Sequence, residues 1–510
     1  MRILDYLKRN KNILPASVAI LFSALVFATL YVLCNIDGVP VSRENSIKFI
    51  VLSAAVVLFL SAIIVIAKLK LLKTEGLVAI ILAFFCIVCM AVFPPFTVPD
   101  EYAHYRSVYH MSNIVMFDFS DEQGKLNMRQ CDYEYLAVNN VSLYDQGYVS
   151  EKGYDKIFAD DAQVIKAPAE YMNKPLPHIV PGIGLAIARL LGLGAYWGVQ
   201  LARLFNAAMC IVFLFFAIKI IPYGKLAIAA ISLLPMNLHI IASCSYDAFT
   251  FGGVMLIFAY IVNMMHTDKK IGWKQLLILA IMIAFVVPQK VVYIAVAALV
   301  LLVEKEQFEK PKLHFLFKCC LGILAVGSVF AFQFSNTERL VASTVEYSGE
   351  AGYSIPYILS NPLQMTKMLF RTIVIQGDFY IKSLISYFGW FEMETPWFLA
   401  VPYVAILALS FMRKKDEPAA LGWLQKSYSL AMFIVCFLLI ELLLLIDHTP
   451  MGSEIVLGVQ GRYFIPALPA LFLFFRNNSI ELSKSCDKYL LFVISLLNSG
   501  VFIYSLSYMI

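Results

Sequence analysis

The chain has 510 residues, of which 60% are hydrophobic and only 15% are charged, and its formal net charge is +5. Soluble domains carry about 25% charged residues, so this composition excludes a soluble enzyme, a disordered protein and a nucleic-acid-binding protein. A mean hydropathy of +0.76 over such a length requires lipid to solvate much of the surface.

Thirteen apolar segments are predicted to be membrane spans. The first follows a basic start, as in a signal peptide, but it is long and more spans follow, so we interpret it as an uncleaved span. The segment 179–194 is apolar but short and glycine-rich, and we predict a re-entrant or interfacial helix there. The approximate limits of the spans are 13–34, 47–67, 77–93, 198–218, 226–243, 247–265, 274–287, 291–304, 314–334, 397–412, 427–446, 463–475 and 489–508.

The distribution of Lys and Arg orients these spans. Short loops rich in basic residues stay in the cytoplasm, and with the amino terminus inside, more than half of the 40 Lys and Arg residues fall in predicted inside loops. If 179–194 crossed the membrane, every later loop would change sides and the basic loop around Lys269 would lie outside. The predicted fold class is therefore an all-α polytopic membrane protein with a cytoplasmic amino terminus.

This interpretation divides the chain into three parts. Residues 1–76 supply two leading spans, residues 77–476 form the membrane core, and residues 477–510 supply the last cytoplasmic loop and a final span. The core contains two large outer loops, at 96–197 and 335–396. Both contain charged, aromatic and proline residues, and a loop of this length without structure would be unusual, so we expect both loops to be structured.

The polar clusters of the chain lie on the outer face in this orientation. Ionisable groups near lipid are costly and indicate function by default; the alternative is that outer loops are simply hydrated. The clusters are at 99–104, 171–175, 245–247, 289–290, 389–390 and 460–463.

The segment after Pro99 predicts a helix that begins with acidic residues. Asp100 is the expected N-cap, and His104 would lie near it, one turn later. The helix dipole favours an ionised carboxylate at this position. One carboxylate could accept a hydroxyl proton as a general base, and the other, Glu101, could orient the substrate or hold a cation. His104 could complete a metal site. The alternative is a capped juxtamembrane helix in which Glu101 is solvated.

Lys290 and Arg462 stand at the outer ends of apolar spans, against the charge bias. Arg suits bidentate phosphate binding and Lys acts as a point charge, so both are candidates for binding a lipid phosphate; the alternative is snorkelling towards headgroups. Asp247 is either a site residue or an N-cap. Trp390 either stacks on a sugar ring or belongs to an interfacial aromatic belt. Glu441 lies deep in a Leu-rich span, where a polar partner on a neighbouring helix is the simplest expectation.

These motifs together resemble a bacterial multi-pass membrane family, domain of unknown function 2142. The resemblance covers about residues 80–475 in matching order and spacing. The chain departs from the family pattern in its two extra leading spans and in Lys174, which is inserted before Pro175. The matching segments are 99–104, 171–175 followed by 181–182, 202–206, 245–248, 290 with 293, 388–390 and 458–466.

That family is similar to the GT-C membrane glycosyltransferases. The resemblance therefore implies a GT-C-like bundle, a polyprenyl-phosphate-linked sugar as donor and a catalytic acidic residue in the first large outer loop. It implies Asp100 as the base, with Glu101 and His104 as neighbours, and Lys290 and Arg462 as ligands of the donor phosphate. The substrate-binding candidates in the same motifs are Tyr171, Lys174, Asp247, Tyr293, Trp390, Gln460 and Tyr463.

The expected activity is transfer of that sugar to a cell-surface glycan on the outer face of the bacterial plasma membrane, with inversion at the anomeric carbon. The sequence contains no nucleotide-binding glycine loop and demands no cofactor, although a divalent cation would be compatible with the acidic cluster. A transporter or flippase for lipid-linked saccharides is the rival, favoured by Glu441, Asn206 and Asn263. Transporters usually place polar sites near the bilayer midplane, often within repeats, and neither feature is evident. A glycan ligase or polymerase is a second alternative.

Overall fold

The computed structural model describes residues 43–68, 71–122, 124–138, 156–172, 174–335, 351–415, 417–483 and 486–509. The protein is mostly helical, at 71%. Three small two-stranded sheets lie between helices in the described part of the chain. The predicted class, a helical membrane protein, is confirmed at this level; the predicted first span, 13–34, lies outside the described residues.

The first described elements are two apolar helices, α1 (Arg43–Lys68) and α2 (Thr74–Val92). Two consecutive prolines, Pro94 and Pro95, follow the end of α2. Because proline removes a backbone donor and clashes with the preceding turn, the helix cannot continue. The chain then turns sharply through Phe96 and Asp100, which both have positive φ angles, of 68° and 66°.

The first large loop is structured, as expected. Its two strands pair antiparallel, with Lys125 opposite Pro168. Arg129 and Asp132 form a buried two-point ion pair, at 2.7 and 2.8 Å, and Asp132 also accepts a hydrogen bond from Tyr109. The loop contains α3 (Glu101–Val115), β1 (Lys125–Arg129), α4 (Gln130–Val138), β2 (Val164–Pro168) and α5 (Pro175–Leu190).

Helix α5 covers most of the segment predicted to be re-entrant or interfacial. Its 16 residues extend about 24 Å, which is less than the roughly 30 Å of a bilayer's hydrocarbon core. Its packing partners are α3 and the long helix that follows it. That α5 does not cross the membrane stays a prediction.

The predicted span 226–243 is not one helix. It is split before Pro235, where Leu234 has an extended ψ angle of 133°, because the residue preceding a proline is driven out of the helical region. A second break, at 242–246, precedes the next long helix. The elements here are α6 (Ala195–Ile220), α7 (Lys225–Ser232), α8 (Pro235–Ile241) and α9 (Asp247–His266).

The predicted span 274–287 is a regular helix, whereas the predicted span 291–304 is not. Pro288 lies at the end of the first one, and from there the chain continues largely as 3₁₀ turns, at Val287–Gln289, Val291–Tyr293 and Ala298–Leu302. A further short 3₁₀ turn, Lys305–Gln307, follows. The α-helices of this region are α10 (Trp273–Val286), α11 (Ile294–Ala297) and α12 (Pro311–Ser335).

The remaining chain contains the described part of the second large loop and the last apolar helices. A 3₁₀ helix, Gly461–Ala467, leads directly into α17. The elements are α13 (Ile355–Ser360), α14 (Pro362–Ile385), β3 (Tyr387–Phe388), β4 (Met393–Glu394), α15 (Trp397–Ser410), β5 (Arg413–Lys414), α16 (Trp423–His448), α17 (Leu468–Phe475), β6 (Glu481–Leu482) and α18 (Cys486–Met509).

Within the described residues, five helices are long and apolar enough to cross a membrane: α2, α6, α9, α16 and α18. Shorter apolar helices accompany them, so a total of thirteen spans is not confirmed. One large apolar core joins these helices, and a smaller one lies beneath the first large loop. The segments 93–104, 242–247, 287–293, 386–396 and 456–463 meet at one end of the bundle, which we call the loop end.

Candidate polar site at the loop end

A buried ion pair organises the loop end. Arg203, on α6, contacts both carboxylate oxygens of Glu101, with Nε to Oε1 at 2.7 Å and Nη2 to Oε2 at 2.6 Å. It also donates to the carbonyl oxygens of Phe93 and Pro94. Glu101 in turn accepts from the backbone amides of Phe96 and Cys244. The pair therefore fixes the exit of α2, the start of α3 and the break before α9.

This geometry corrects two expectations for Glu101. The side chain is fully buried rather than solvated, and both of its oxygens are occupied by protein donors. It therefore has no oxygen left to orient a substrate or to hold a cation. Its partner Arg203 was part of the motif at 202–206, but sequence reasoning gave it no role. A charge within an apolar span, matched by an acid elsewhere, is the signal that could have found it.

Asp100 adopts a different role from the predicted N-cap. It stands at the N-cap position of α3, but its side chain makes no capping hydrogen bond, and its backbone is left-handed. Asp is among the residues that adopt this region most readily, at a modest energetic cost. The carboxylate lies instead beside Arg462, with Nη2 and Oδ2 separated by 3.4 Å. Asp100 is 36% exposed in its side chain, whereas that of Arg462 is only 2% exposed.

The backbone around Arg462 is tightly packed against α14. The amide of Gly461 donates to Ser383 Oγ at 2.8 Å. A Cβ atom at position 461 would overlap the carbonyl oxygen of Tyr380 and the amide nitrogen of Leu384, so only glycine fits there. Arg462 Nε and Nη1 are buried and have no hydrogen-bond partner among the described residues. These two donors remain available to an anionic ligand.

A second acid–cation pair lies next to Arg462. Lys290 Nζ donates to Asp247 Oδ1 at 2.9 Å, and both side chains are more than four-fifths buried. The ammonium group also lies 4.2 Å from the ring centre of Tyr463 and 5.5 Å from that of Tyr246. Lys290 therefore does not snorkel towards solvent. Asp247 begins α9, but its side chain bonds Lys290 rather than capping the helix.

Lys174 brings a third cation to the same place. Its Nζ donates to the carbonyl oxygen of Gln289 at 2.9 Å and lies 4.7 Å from the ring centre of Tyr246. Burial, together with the nearby charge of Lys290, lowers the pKa of Lys174 to about 8, against the opposing effect of Asp247. The residue that departs from the family pattern is thus part of the site.

The histidine at position 104 is buried in this cluster and has a histidine neighbour. His104 Nδ1 lies 3.4 Å from His178 Nε2, and the His104 ring contacts Tyr246 edge to face. Desolvation and, next, His178 lower the pKa of His104 well below its ordinary value of 6.5; Asp247 opposes this shift, and Arg462 and Lys174 add to it. His178 and Tyr246 were not among the predicted site residues, although both lie within or next to quoted motifs.

Of the remaining predicted residues, Tyr293, Trp390 and Gln460 lie at the loop end, whereas Tyr171 does not. Tyr293 donates to the carbonyl oxygen of Tyr463 at 2.9 Å and so supports the site. The amide oxygen of Gln460 is buried and has no partner among the described residues. Trp390 is 39% exposed, and its ring centre is 6.1 Å from that of Tyr102. Tyr171 stacks instead on His110, at 4.0 Å, nearly three helical turns along α3 from Asp100.

The site therefore combines the cations Lys174, Lys290 and Arg462 with the carboxylates of Asp100 and Asp247. Such an excess of positive charge in a buried cluster suits an anionic group such as phosphate. No group of three His, Cys, Asp or Glu side chains that could hold a metal ion occurs in the described ranges. A small internal cavity is lined by Arg462 together with Asn237, Asp247, Thr250 and Tyr293, among others.

Fold and site together define a polytopic helical membrane protein with an acid–cation cluster at one end of its bundle. Residues 82–471 match the family described as predicted membrane protein (DUF2142), and the chain belongs to this family. The match begins within α2 and ends within α17, so it includes every site residue named above. Comparison with curated proteins and with solved structures finds no significant match.

Proposed function

We propose that the protein is a membrane glycosyltransferase that moves a sugar from a polyprenyl-phosphate donor to a glycan hydroxyl on the extracytoplasmic face. The observation that carries this proposal is the contact between Asp100 and Arg462, at 3.4 Å. It joins a partly exposed carboxylate to a buried guanidinium that has two further donors without partners in the described chain. The proposed base, Asp100, and a proposed phosphate-binding residue, Arg462, are thereby neighbours, as such a transfer requires.

The donor phosphate would bind to Arg462 and Lys290, whose tight burial makes their charges effective because water screens them little. Lys174 would add a third positive charge. The polyprenyl chain would extend from this position along the apolar helices, which lipid already covers in a membrane protein. The convergence of cations from three distant segments of the chain on one cluster favours an anionic lipid headgroup over random polar contacts.

In the proposed step, Asp100 accepts the proton of the acceptor hydroxyl while that oxygen bonds to the anomeric carbon. The bond between this carbon and the phosphate oxygen breaks at the same time, and the phosphate leaves with the electron pair. Arg462 and Lys290 stabilise the charge on the leaving phosphate, an effect commonly worth about 3–4 kcal/mol per donor. A single displacement inverts the anomeric carbon. The exposed ring of Trp390, which lies beside the partly buried Tyr102, suits stacking against the acceptor glycan.

The rival proposal, a transporter or flippase, loses part of its support. Two of the polar residues that favoured it have structural partners. Asn206 donates to the carbonyl oxygens of Ser243 and Ser245, at 2.6 and 3.0 Å, and so satisfies the helix break before α9. Glu441 accepts from the Tyr380 hydroxyl of the neighbouring α14 at 2.8 Å, the kind of partner that the sequence led us to expect. A ligase that transfers a whole glycan would use the same cluster of charged residues.

The test is a transfer assay in proteoliposomes that contain a panel of polyprenyl-phosphate hexoses. We expect Asp100→Asn to lower kcat by about 10²–10⁴-fold, the usual contribution of a general base, and Asp100→Glu to retain part of the activity. Glu122→Gln is the matched control, because Glu122 forms an exposed pair with Lys166 in the same loop. Unchanged transfer by a folded Asp100→Asn protein would refute the base. Translocation of lipid-linked saccharide without transfer would favour the rival.

A further inference from the structure

The two buried histidines of the site form a chain of hydrogen bonds that starts at the backbone. His178, in the first turn of α5, has its Nδ1 atom 2.7 Å from the carbonyl oxygen of Lys174. A carbonyl oxygen can only accept a hydrogen bond, so Nδ1 of His178 carries a proton. In the neutral imidazole the other nitrogen, Nε2, is then an acceptor.

The second link transmits this constraint to His104. Nε2 of His178 lies 3.4 Å from Nδ1 of His104. Since the His178 nitrogen accepts, Nδ1 of His104 has to donate, and Nε2 of His104 keeps its lone pair. Both rings are almost completely buried, which disfavours a doubly protonated, charged form. Nε2 of His104 has no partner in the part of the chain that the structure describes.

The surroundings explain what such an acceptor could bind. Lys174, Lys290 and Arg462 are donors, and an oxygen of Asp247 already accepts from Lys290. A saccharide placed against these cations presents hydroxyl groups that need acceptors. We propose that His104 Nε2 accepts a hydrogen bond from a hydroxyl group of the bound saccharide, and that His178 is the positioning residue that sets this tautomer. The identity of the ligand as a saccharide rests on the proposed function; the tautomer does not.

The Lys174 backbone thereby acquires a role of its own. Its carbonyl oxygen holds His178 while its Nζ holds the carbonyl oxygen of Gln289. The same residue thus joins the loop before α5 to the 3₁₀ turn before Lys290. The inserted position therefore orients the histidine pair as well as adding a charge.

Solid-state NMR on protein labelled with ¹⁵N-histidine in lipid bilayers tests the tautomer directly. The chain has seven histidines, and the His104 signals are assigned by their loss in His104→Gln. We expect a neutral ring with the proton on Nδ1. His178→Gln should preserve this state, because an amide both donates to the carbonyl oxygen and accepts from His104. His178→Leu should allow the other tautomer to appear.

His110→Gln is the matched control, because His110 lies on the same helix but bonds Asp121; it should leave the His104 signals unchanged. A proton on Nε2 in the wild type, or a tautomer unaffected by His178→Leu, would overturn the inference. The saccharide contact is tested by adding a polyprenyl-phosphate hexose to the bilayer. A change in the Nε2 shift of His104 supports the contact, and an unchanged shift at saturating lipid contradicts it.

Kinetics separates this inference from the proposed function. We expect His178→Leu to raise KM for the saccharide about tenfold, the equivalent of one hydrogen bond of about 1.4 kcal/mol, and His178→Gln to restore it. An unchanged KM in His178→Leu would overturn the inference. If the wild type transfers no sugar, the proposed function fails, while the NMR tautomer and the response to the lipid-linked saccharide still decide the role of His104.

Discussion

Asp100 and Arg462 lie 362 positions apart in the chain, and their side chains are 3.4 Å apart in the folded protein. One belongs to the turn before α3, and the other to the 3₁₀ helix before α17. The backbone at each residue is held through the adjacent residue. Glu101, next to Asp100, is bound by Arg203, and Gly461, next to Arg462, packs against α14. The positions of Asp100 and Arg462 are thus fixed by the buried contacts of their backbone segments rather than by the two side chains alone.

Replacement of the guanidinium tests the proposed phosphate site. We expect Arg462→Lys to weaken binding of a polyprenyl-phosphate hexose about ten- to hundredfold, because the lysine keeps the charge but loses the buried Nε and Nη1 donors; hydrogen bonds to charged groups contribute about 1.5–3 kcal/mol. The measurement is equilibrium binding in nanodiscs. Arg371→Lys, at a largely exposed pair with Glu454, should bind normally. Equal affinities for Arg462→Lys and wild type would contradict the assignment.

The buried Glu101–Arg203 pair should dominate the stability of the loop end. We expect Glu101→Leu or Arg203→Met alone to lower the free energy of unfolding by about 3–5 kcal/mol, because each leaves a buried charge unpaired. The double variant Glu101→Leu/Arg203→Met should lose less than the two single effects added together. Thermal unfolding of detergent-purified protein gives the comparison.

The exposed pair of Lys166 and Glu122, with 57% and 59% of the side chains accessible, provides the control. Lys166→Gln should change stability by no more than about 1 kcal/mol, as is usual for exposed ion pairs. Strictly additive losses in the Glu101/Arg203 cycle would show that the two side chains do not stabilise the fold through each other.

Gly461 is predicted to be intolerant of any side chain. Gly461→Ala should displace the backbone of α14 or of Arg462, because the new methyl group overlaps the carbonyl oxygen of Tyr380. We expect a loss of donor binding and a lower Tm. Gly377→Ala, on α14, is the control, because a methyl group there would meet open space; it should raise stability by about 0.5–1 kcal/mol. A Gly461→Ala protein with wild-type Tm and binding would disprove the packing argument.

The pKa of Lys174 predicts a pH dependence of ligand binding. Because burial lowers this pKa from 10.5 to about 8, Lys174 loses its charge as the pH rises through about 8, and affinity for the lipid phosphate should fall there. Lys174→Arg, which stays protonated, should abolish this step. Isothermal binding measurements from pH 6.5 to about 9.5 in nanodiscs give the profile; an identical step in both proteins would assign it to another group.

The lowered pKa of Lys174 also makes the stability of the fold depend on pH. The folded protein releases the Lys174 proton at a lower pH than the unfolded chain does, so the unfolded state binds more protons between about pH 8 and the ordinary pKa of 10.5. Stability from this residue therefore rises across that window as the pH increases. Lys174→Met should remove this contribution to the slope.

The amino-acid sequence was sufficient for the class of protein and for the places where polar chemistry concentrates. Long apolar segments separated by basic loops predict helices in a membrane because lipid offers no hydrogen bonds to an open backbone. The clusters around Asp100, Lys290 and Arg462 were visible as polar residues at the ends of such segments. Asp247 and Lys174 were also recognised, although their partners were not.

The breaks in the helices were less predictable. Hydropathy marked 226–243 as one span, but Pro235 divides it into two helices, and Pro288 lies in the first of a run of 3₁₀ turns. The apolar character of a segment reports what surrounds it, whereas the course of its backbone depends on local sterics. The prolines at these positions indicate the helix breaks, but a prediction of spans from hydropathy alone does not take them into account.

The sequence by itself determined that polar groups stand at one end of a set of apolar helices, because hydropathy and charge are properties of each segment alone. Only the tertiary structure decided that both carboxylate oxygens of Glu101 bind Arg203. It also decided that the Asp100 side chain contacts Arg462 instead of capping its helix, and that Lys174 bonds Gln289. These pairings join segments that are roughly a hundred or more positions apart in the chain. These pairings depend on which helices pack together and on how deeply each side chain is buried. Because an unpaired buried charge strongly destabilises the fold, each buried charge needs a partner.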